Sequence, residues 1–414
     1  MPLMIYSSKN LITLWVFSCL ISLIFIPISY EYLLMVLTPL IITAACLTVI
    51  KYVPKKNRPI APYLVFFSIS VTSYLGFTQA LTGSHAEASN PFLYGLSFYS
   101  ASMAFYLTNQ TKLNINEAFR FSNPLLLISG PIALFIKKTG KKSLGKRINY
   151  YLPFVIIGLF FFQIIGSPLT NFLYLIDKTD LVSVFIFAII FEIFVYANFC
   201  GLSLIIYGFF GILGYKVPLN FKQPYSSSNL PGFWQGNHTS LSAVLKKLFY
   251  TPLRRHVPQF TALSAVFISS GLWHGMTINF LIWGCFHAII FWFSLFLLKN
   301  KIKLLPVFIL ILGVIIGRII FTESDTDQLL EKLSFSYEGL GVFSTLLNTP
   351  NTAKAGLILG TCIILIEFLF QKNKYVKKRN YKHLRSPLIL VLVMIIGILL
   401  IQNSGGNFAV YGQR

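Results

Sequence analysis

Hydrophobic positions in this chain come in long unbroken blocks separated by short polar stretches. Leu11–Tyr30 carries no charged residue, and Tyr32–Ile50 follows after the single Glu31. Further blocks cover Ala61–Leu81, Phe92–Leu107, Tyr151–Ile176, Leu181–Tyr215, Phe260–Gly275, Ile278–Leu298, Leu304–Phe321, Ala355–Phe370 and Pro387–Ile401. A membrane-crossing helix needs about 20 mostly apolar residues. The pattern therefore predicts an all-α polytopic membrane protein of about eleven transmembrane helices. Two stretches depart from it. Leu125–Ile136 is too short to cross and holds Gly130-Pro131, which predicts a re-entrant segment. Leu181–Tyr215 is longer than one span needs, which predicts a kink near Gly201. No small-residue cleavage site follows the first block, so it reads as an uncleaved span.

Composition agrees with this pattern and charge orients it. Of 414 residues, 55% are hydrophobic and only 11% charged, against about a quarter charged in soluble domains. The net charge of +22 invites a nucleic-acid reading, but its placement opposes one. With the N-terminus inside, 29 of the 34 basic residues fall on the cytoplasmic side of the predicted spans. Nine of the twelve acids, among them Glu31, Glu87, Asp177 and Asp180, fall on the other. This is the positive-inside bias. It predicts a multi-pass inner (plasma) membrane protein with a cytoplasmic N-terminus, and assigns the basic excess to topology and anionic lipid. The segments Lys137–Arg147 and Lys372–Arg385 are then cytoplasmic, and Glu323–Glu338 faces outward. Cys19, Cys46, Cys200, Cys285 and Cys362 lie in apolar blocks without a CxxC pair and read as packing residues. No linker, soluble domain or internal repeat is visible, so residues 1–414 read as one transmembrane domain.

The polar segment from Asn220 to Arg255 holds a second kind of pattern. Leu241, Val244, Leu245, Leu248 and Phe249 recur at helical spacing, with Ser242, Lys246 and Lys247 opposite. Thr239 or Ser240 supplies a helix cap. The expectation is an interfacial helix lying on the cytoplasmic leaflet.

Histidine is scarce, six in the chain, and three are placed where chemistry is possible. His274 ends the block Phe260–Gly275, His287 lies inside the next, and His238 precedes the amphipathic stretch. An ionisable group at membrane depth is costly and points to function, and imidazole suits general-base work. The bland alternative is a polar side chain bridging two helices, and for His287 that reading is the stronger. There is no GxSxG, P-loop or HExxH, so a covalent serine mechanism and a zinc site lack markers. Glu192, Glu367 and Arg318 lie in apolar blocks and have no partner evident in the sequence.

Several motifs then occur in a telling order: Tyr94–Phe98 (YGLSF), Ser129–Ile132 (SGPI), Tyr196–Gly201 (YANFCG), Gly214–Tyr225 (GYKVPLNFKQPY), Phe233-Trp234, His238–Ser242 (HTSLS), Ser270–Gly275 (SGLWHG), and Trp283-Gly284 with His287. Together they resemble the membrane-bound O-acyltransferases (MBOAT), in the bacterial branch of the alginate O-acetylation membrane subunit and the teichoic-acid D-alanyl transfer subunit. The resemblance spans about residues 94–321. It implies that His274 and His238 are the catalytic pair facing a tunnel through the membrane, and that Trp273, Asn198 and His287 line the substrate path. The chain departs from the family pattern at Gln235-Gly236-Asn237, where arginine and tryptophan are usual, and at Asn198, where an aspartate is usual. Arg254-Arg255 replace glycines, and Arg318 stands where a tryptophan is expected. Arg254 and Arg255 are candidate contacts for donor phosphates.

The function implied is O-acyl transfer from a cytoplasmic thioester, acetyl-CoA being the first choice, to a hydroxyl of an envelope glycan. No metal or prosthetic group is implied. The expected partners are the donor, the glycan, membrane lipid, and an extracytoplasmic transferase or acyl carrier protein. D-Alanyl transfer from a carrier protein is the rival within the class. A glycan or lipid transporter is the rival outside it, but neither repeat symmetry nor paired intramembrane charges are seen in the sequence.

Overall fold

The computed structural model describes residues 8–23, 28, 30–54, 57–74, 91–109, 118–132, 137–138, 143–173, 181–302, 305–322, 329–330, 345, 347–369, 381 and 385–401. Of the segments that carry the sidedness expectation, Glu323–Glu338 and Lys372–Arg385 fall almost wholly outside them.

Each apolar block carries a helix among its described residues. In chain order these are α1 (Ser8–Ser22), α2 (Tyr30–Tyr52), α3 (Ala61–Tyr74) and α4 (Pro91–Asn109). Two short helices follow, α5 (Ala118–Phe121) and α6 (Pro124–Ser129). Next come α7 (Leu144–Leu159), α8 (Leu181–Ile212), α9 (Leu230–Gly236) and α10 (Thr239–Leu245). The order closes with α11 (Gln259–His274), α12 (Ile278–Lys299), α13 (Leu305–Phe321), α14 (Asn351–Leu369) and α15 (Pro387–Ile401). Among the described residues, five stretches are long and apolar enough to cross a membrane: Tyr32–Ile50, Leu144–Thr170, Leu181–Ile212, Ile278–Lys299 and Asn351–Leu369. Leu11–Ser22, Leu305–Phe321 and Pro387–Gly397 are shorter apolar helices. The protein is thus an all-α polytopic membrane protein. Among the described residues one strand pairing is formed, joining Lys137–Lys138 to Tyr215–Lys216.

The longest block forms one helix: α8 runs unbroken for 32 residues and is buried along most of its length. Gly201 packs closely on α7: a Cβ there would lie 2.8 Å from the Gly158 carbonyl oxygen. Small residues let membrane helices approach in this way. A helix apolar on every face belongs in the middle of a bundle, and α8 packs against α7, α13 and α14. The expected re-entrant segment is α6, six residues long and entirely buried; the part of Leu125–Ile136 beyond residue 132 lies outside the described residues.

The amphipathic helix forms, with a different partner and cap. Leu241, Val244, Leu245, Leu248 and Phe249 are buried, while Ser242, Lys246 and Lys247 are exposed. The apolar face meets protein rather than the lipid leaflet. Phe249 packs edge-on against Tyr63 and Phe66 of α3, and Tyr63 Oη donates to the Leu248 carbonyl at 2.8 Å. The cap is His238, not Thr239 or Ser240.

α11 and α12 form a tight hairpin. A Cβ on Gly271 would sit 2.2 Å from the Phe280 carbonyl oxygen, and one on Gly284 would sit 2.8 Å from the Phe267 carbonyl. This close approach brings His274, Phe280, Trp283 and His287 to one wall.

Candidate active site

The backbone around His238 is stapled to the segment before α9. Asn220 Oδ1 accepts from the Ser240 amide at 3.2 Å and from Ser240 Oγ at 2.7 Å, and the Asn220 carbonyl accepts from the Thr239 amide at 2.8 Å. Lys222 N–H donates to the Gly236 carbonyl at 2.8 Å, and Thr239 Oγ1 donates to the Leu219 carbonyl at 2.7 Å. Ser240 Oγ also accepts from the Ile132 amide at 3.0 Å. Between these staples His238 takes a left-handed conformation, φ 45 and ψ 53. A non-glycine residue there costs about 1–3 kcal/mol, and such conformations persist only where surroundings over-determine them.

That conformation aims the His238 ring. Its Nδ1 accepts from the Leu241 amide at 3.4 Å, which puts the proton of the neutral ring on Nε2. Phe98 stacks on it at 6.0 Å, and Phe199 meets it edge-on at 5.0 Å. Burial lowers its pKa to about 3, so the ring is neutral and Nε2–H is a donor.

His274 approaches the same space from α11. Trp273 adjoins both imidazoles, its ring 6.5 Å from His238 and 4.9 Å from His274. The indole is buried, stacks on Phe66 at 6.2 Å, and its backbone carbonyl accepts from Ser70 Oγ at 3.0 Å. Phe280, Trp283 and Phe321 surround His274 at 6.1, 6.1 and 4.9 Å. The His274 side chain is nevertheless exposed rather than buried.

The other candidates sit farther out. His287 is buried behind Trp283, 4.4 Å ring to ring, with Trp234 at 5.2 Å and Phe267 stacked at 6.2 Å. It presses on α13 at Gly317, where an added Cβ would fall 2.4 Å from His287 Nε2. Asn198 is fully buried with its backbone against Gly166 of the wide turn at Phe160–Gly166, and its neighbour Phe199 is the residue that meets His238. Arg254 and Arg255 are exposed at the turn leading into α11. Among the described residues, no three of His, Cys, Asp and Glu converge as metal ligands do.

Glu192 and Arg318, without partners in the sequence reading, are paired in the fold. Glu192 Oε2 accepts from Arg318 Nε, and Glu192 Oε1 accepts from Tyr225 Oη. Glu367 Oε1 accepts from Tyr196 Oη at 2.5 Å. Tyr381 Oη in turn lies 3.1 Å from Cys200 Sγ and 3.5 Å from Tyr196 Oη. A trace of this was in the sequence: Glu192, Tyr196 and Cys200 are spaced to share one face of a helix.

The protein is thus an all-α polytopic membrane protein in which His238 and His274 both lie against one buried tryptophan. Residues 150–304 match the model of MBOAT, the membrane-bound O-acyltransferase family. It is 36% identical over 100 residues to the peptidoglycan O-acetyltransferase of Helicobacter pylori, covering 23% of this chain and 18% of that one. To the teichoic acid D-alanyltransferase of Bacillus subtilis it is 26% identical over 176 residues, 40% of each chain. To the probable alginate O-acetylase AlgI of Pseudomonas aeruginosa it is 29% identical over 184 residues, 41% of this chain and 34% of the relative. The match thus spans from about a fifth to two fifths of these relatives' own length.

Proposed function

We propose that this protein transfers a small acyl group, acetyl in the first instance, from a cytoplasmic thioester such as acetyl-CoA to a hydroxyl of a cell-envelope polysaccharide or its precursor. The observation that carries the reading is the pair of imidazoles flanking Trp273, His274 being open and His238 having its Nδ1 occupied. His274 acts as general base. It takes the proton of the acceptor hydroxyl as the oxygen attacks the thioester carbonyl. His238 Nε2–H donates to the carbonyl oxygen as negative charge develops there. Collapse of the tetrahedral intermediate forms the ester C–O bond, breaks the C–S bond, and the leaving sulfur takes the proton from His274. Hydroxyl and thioester become ester and thiol, with no net proton change. Trp273 walls the passage between the two groups. The protein acts in the inner (plasma) membrane with its N-terminus in the cytoplasm. Arg254 and Arg255 then lie on the donor side, where they suit a phosphate-bearing thioester or an acidic acyl carrier. An extracytoplasmic transferase that hands the group onward fits the same arrangement.

The test is the acyl content of the envelope glycan in cells producing each variant at matched membrane levels. Positioned acid–base catalysis is worth about 10²–10⁴-fold, so His274→Ala and His274→Gln should both leave acylation undetectable. Gln keeps hydrogen bonding but cannot take the proton. Wild-type acylation in His274→Gln would overturn the reading.

A further inference from the structure

Behind the two histidines lies a charged unit that no part of the acyl-transfer reading uses. Glu192 of α8 is 7% exposed and accepts from two groups on other elements: Arg318 of α13, and Tyr225 in the turn Pro224–Ser226. Each of these leads directly to one imidazole. Arg318 stands one helical turn before Phe321; its guanidinium lies 5.7 Å from that ring, and the Phe321 ring meets His274 edge-on at 4.9 Å. Tyr225 adjoins the stapled strand whose Asn220 and Lys222 hold the backbone on either side of His238, and its ring packs on Phe233 of α9 at 5.5 Å. One carboxylate thus ties together the wall of His274 and the mount of His238.

We infer that Glu192, Arg318 and Tyr225 form a positioning unit that sets the relative placement of the His238 and His274 rings. The physical basis is that a membrane interior supplies no water to satisfy a misplaced charge. The Glu192–Arg318 pair therefore tolerates little sliding between α8 and α13, and a guanidinium–carboxylate contact is directional. Apolar contacts alone would leave these helices free to shift. The three are positioning residues, because they reach the reaction only through the rings they hold. This inference rests on the acyl-transfer reading for its functional consequence, while its geometric claim can be measured without it.

The test separates holding the fold from holding the rings. Replacing a buried ion pair by hydrophobic residues of similar size is often neutral or stabilising, so Glu192→Leu/Arg318→Met should keep the thermal stability of the full-length protein in detergent. If the pair only supports the fold, that variant acylates the glycan as the wild type does. If it positions the histidines, acylation per folded molecule falls by about tenfold or more, since a shift near 1 Å can cost about a hundredfold. A second readout needs no substrate: the rate at which diethyl pyrocarbonate modifies His274, measured by mass spectrometry relative to the exposed surface residue His256. We expect this ratio to change at least threefold, equivalent to about 0.65 kcal/mol in barrier. Tyr225→Phe, which deletes one hydroxyl, covers the case in which the double variant fails to fold and should move both readouts in the same sense by less. If His274→Gln abolishes acylation while both network variants keep wild-type acylation and reactivity ratio, the inference fails and the acyl-transfer reading stands. If His274→Gln keeps acylation, the acyl-transfer reading fails, and the reactivity ratio alone decides the positioning claim, an unchanged ratio overturning it.

Discussion

The Leu241 amide and the His238 ring illustrate how single contacts assign chemistry. An imidazole can accept or donate at a given nitrogen, and the hydrogen bond to Nδ1 fixes which. The left-handed backbone at His238 makes that bond possible, because it turns the side chain back over the start of α10. At His287 the environment argues for a different role. The ring is buried among Trp234, Phe267 and Trp283 and wedged against Gly317, which is how a bridge between α12 and α13 is built. His287→Ala should accordingly lower the acyl content of the envelope glycan less than His274→Ala or His274→Gln. Gly317→Ala should destabilise the protein by about 1–3 kcal/mol, the usual cost of overpacking, since its methyl would collide with the imidazole. Thermal unfolding in detergent checks this, and an unchanged midpoint would show that the ring is free to move aside.

The α11–α12 hairpin is the element on which the site depends. Its two glycines put backbone against backbone, so neither position can yield by swinging a side chain away. Gly284→Val should force the helices apart, lower thermal stability and abolish acylation. Gly145→Ala in the first turn of α7 meets nothing within 4 Å and should be neutral or stabilising by about 0.4–1 kcal/mol. Equal effects of the two substitutions would remove the packing argument. The α9–α10 region shows what an element-level pattern conveys and what it does not. Periodicity identified the buried face from Leu241 to Phe249, because helical spacing alone selects which side chains point together. It did not identify what covers that face. Lipid and the rings of α3 are equally apolar, and only the fold brings Tyr63 and Phe66 there.

For the molecule as a whole, the charge distribution predicts sidedness. In a cysteine-free background, a cysteine at Lys377 should react with a membrane-impermeant maleimide only after permeabilisation, and one at Asp325 should react in intact cells. Labelling of the Lys377 site from outside would invert the topology and with it the assignment of donor and acceptor sides. The sequence by itself determined the all-α membrane class, the positions of the helices, and His238 and His274 as candidates, because bilayer thickness and the cost of a polar group in hydrocarbon act on every residue locally. It left Glu192 and Arg318 apparently isolated and aimed an apolar face at lipid. Glu192 and Arg318 are 126 residues apart and become a pair only when α8 and α13 pack. Tertiary structure alone also brought Trp273 against both imidazoles and Gly201 against α7. Inside a membrane, apolar residues satisfy lipid and protein neighbours alike, so hydrophobicity fixes where a helix runs and directional contacts fix which helix it meets.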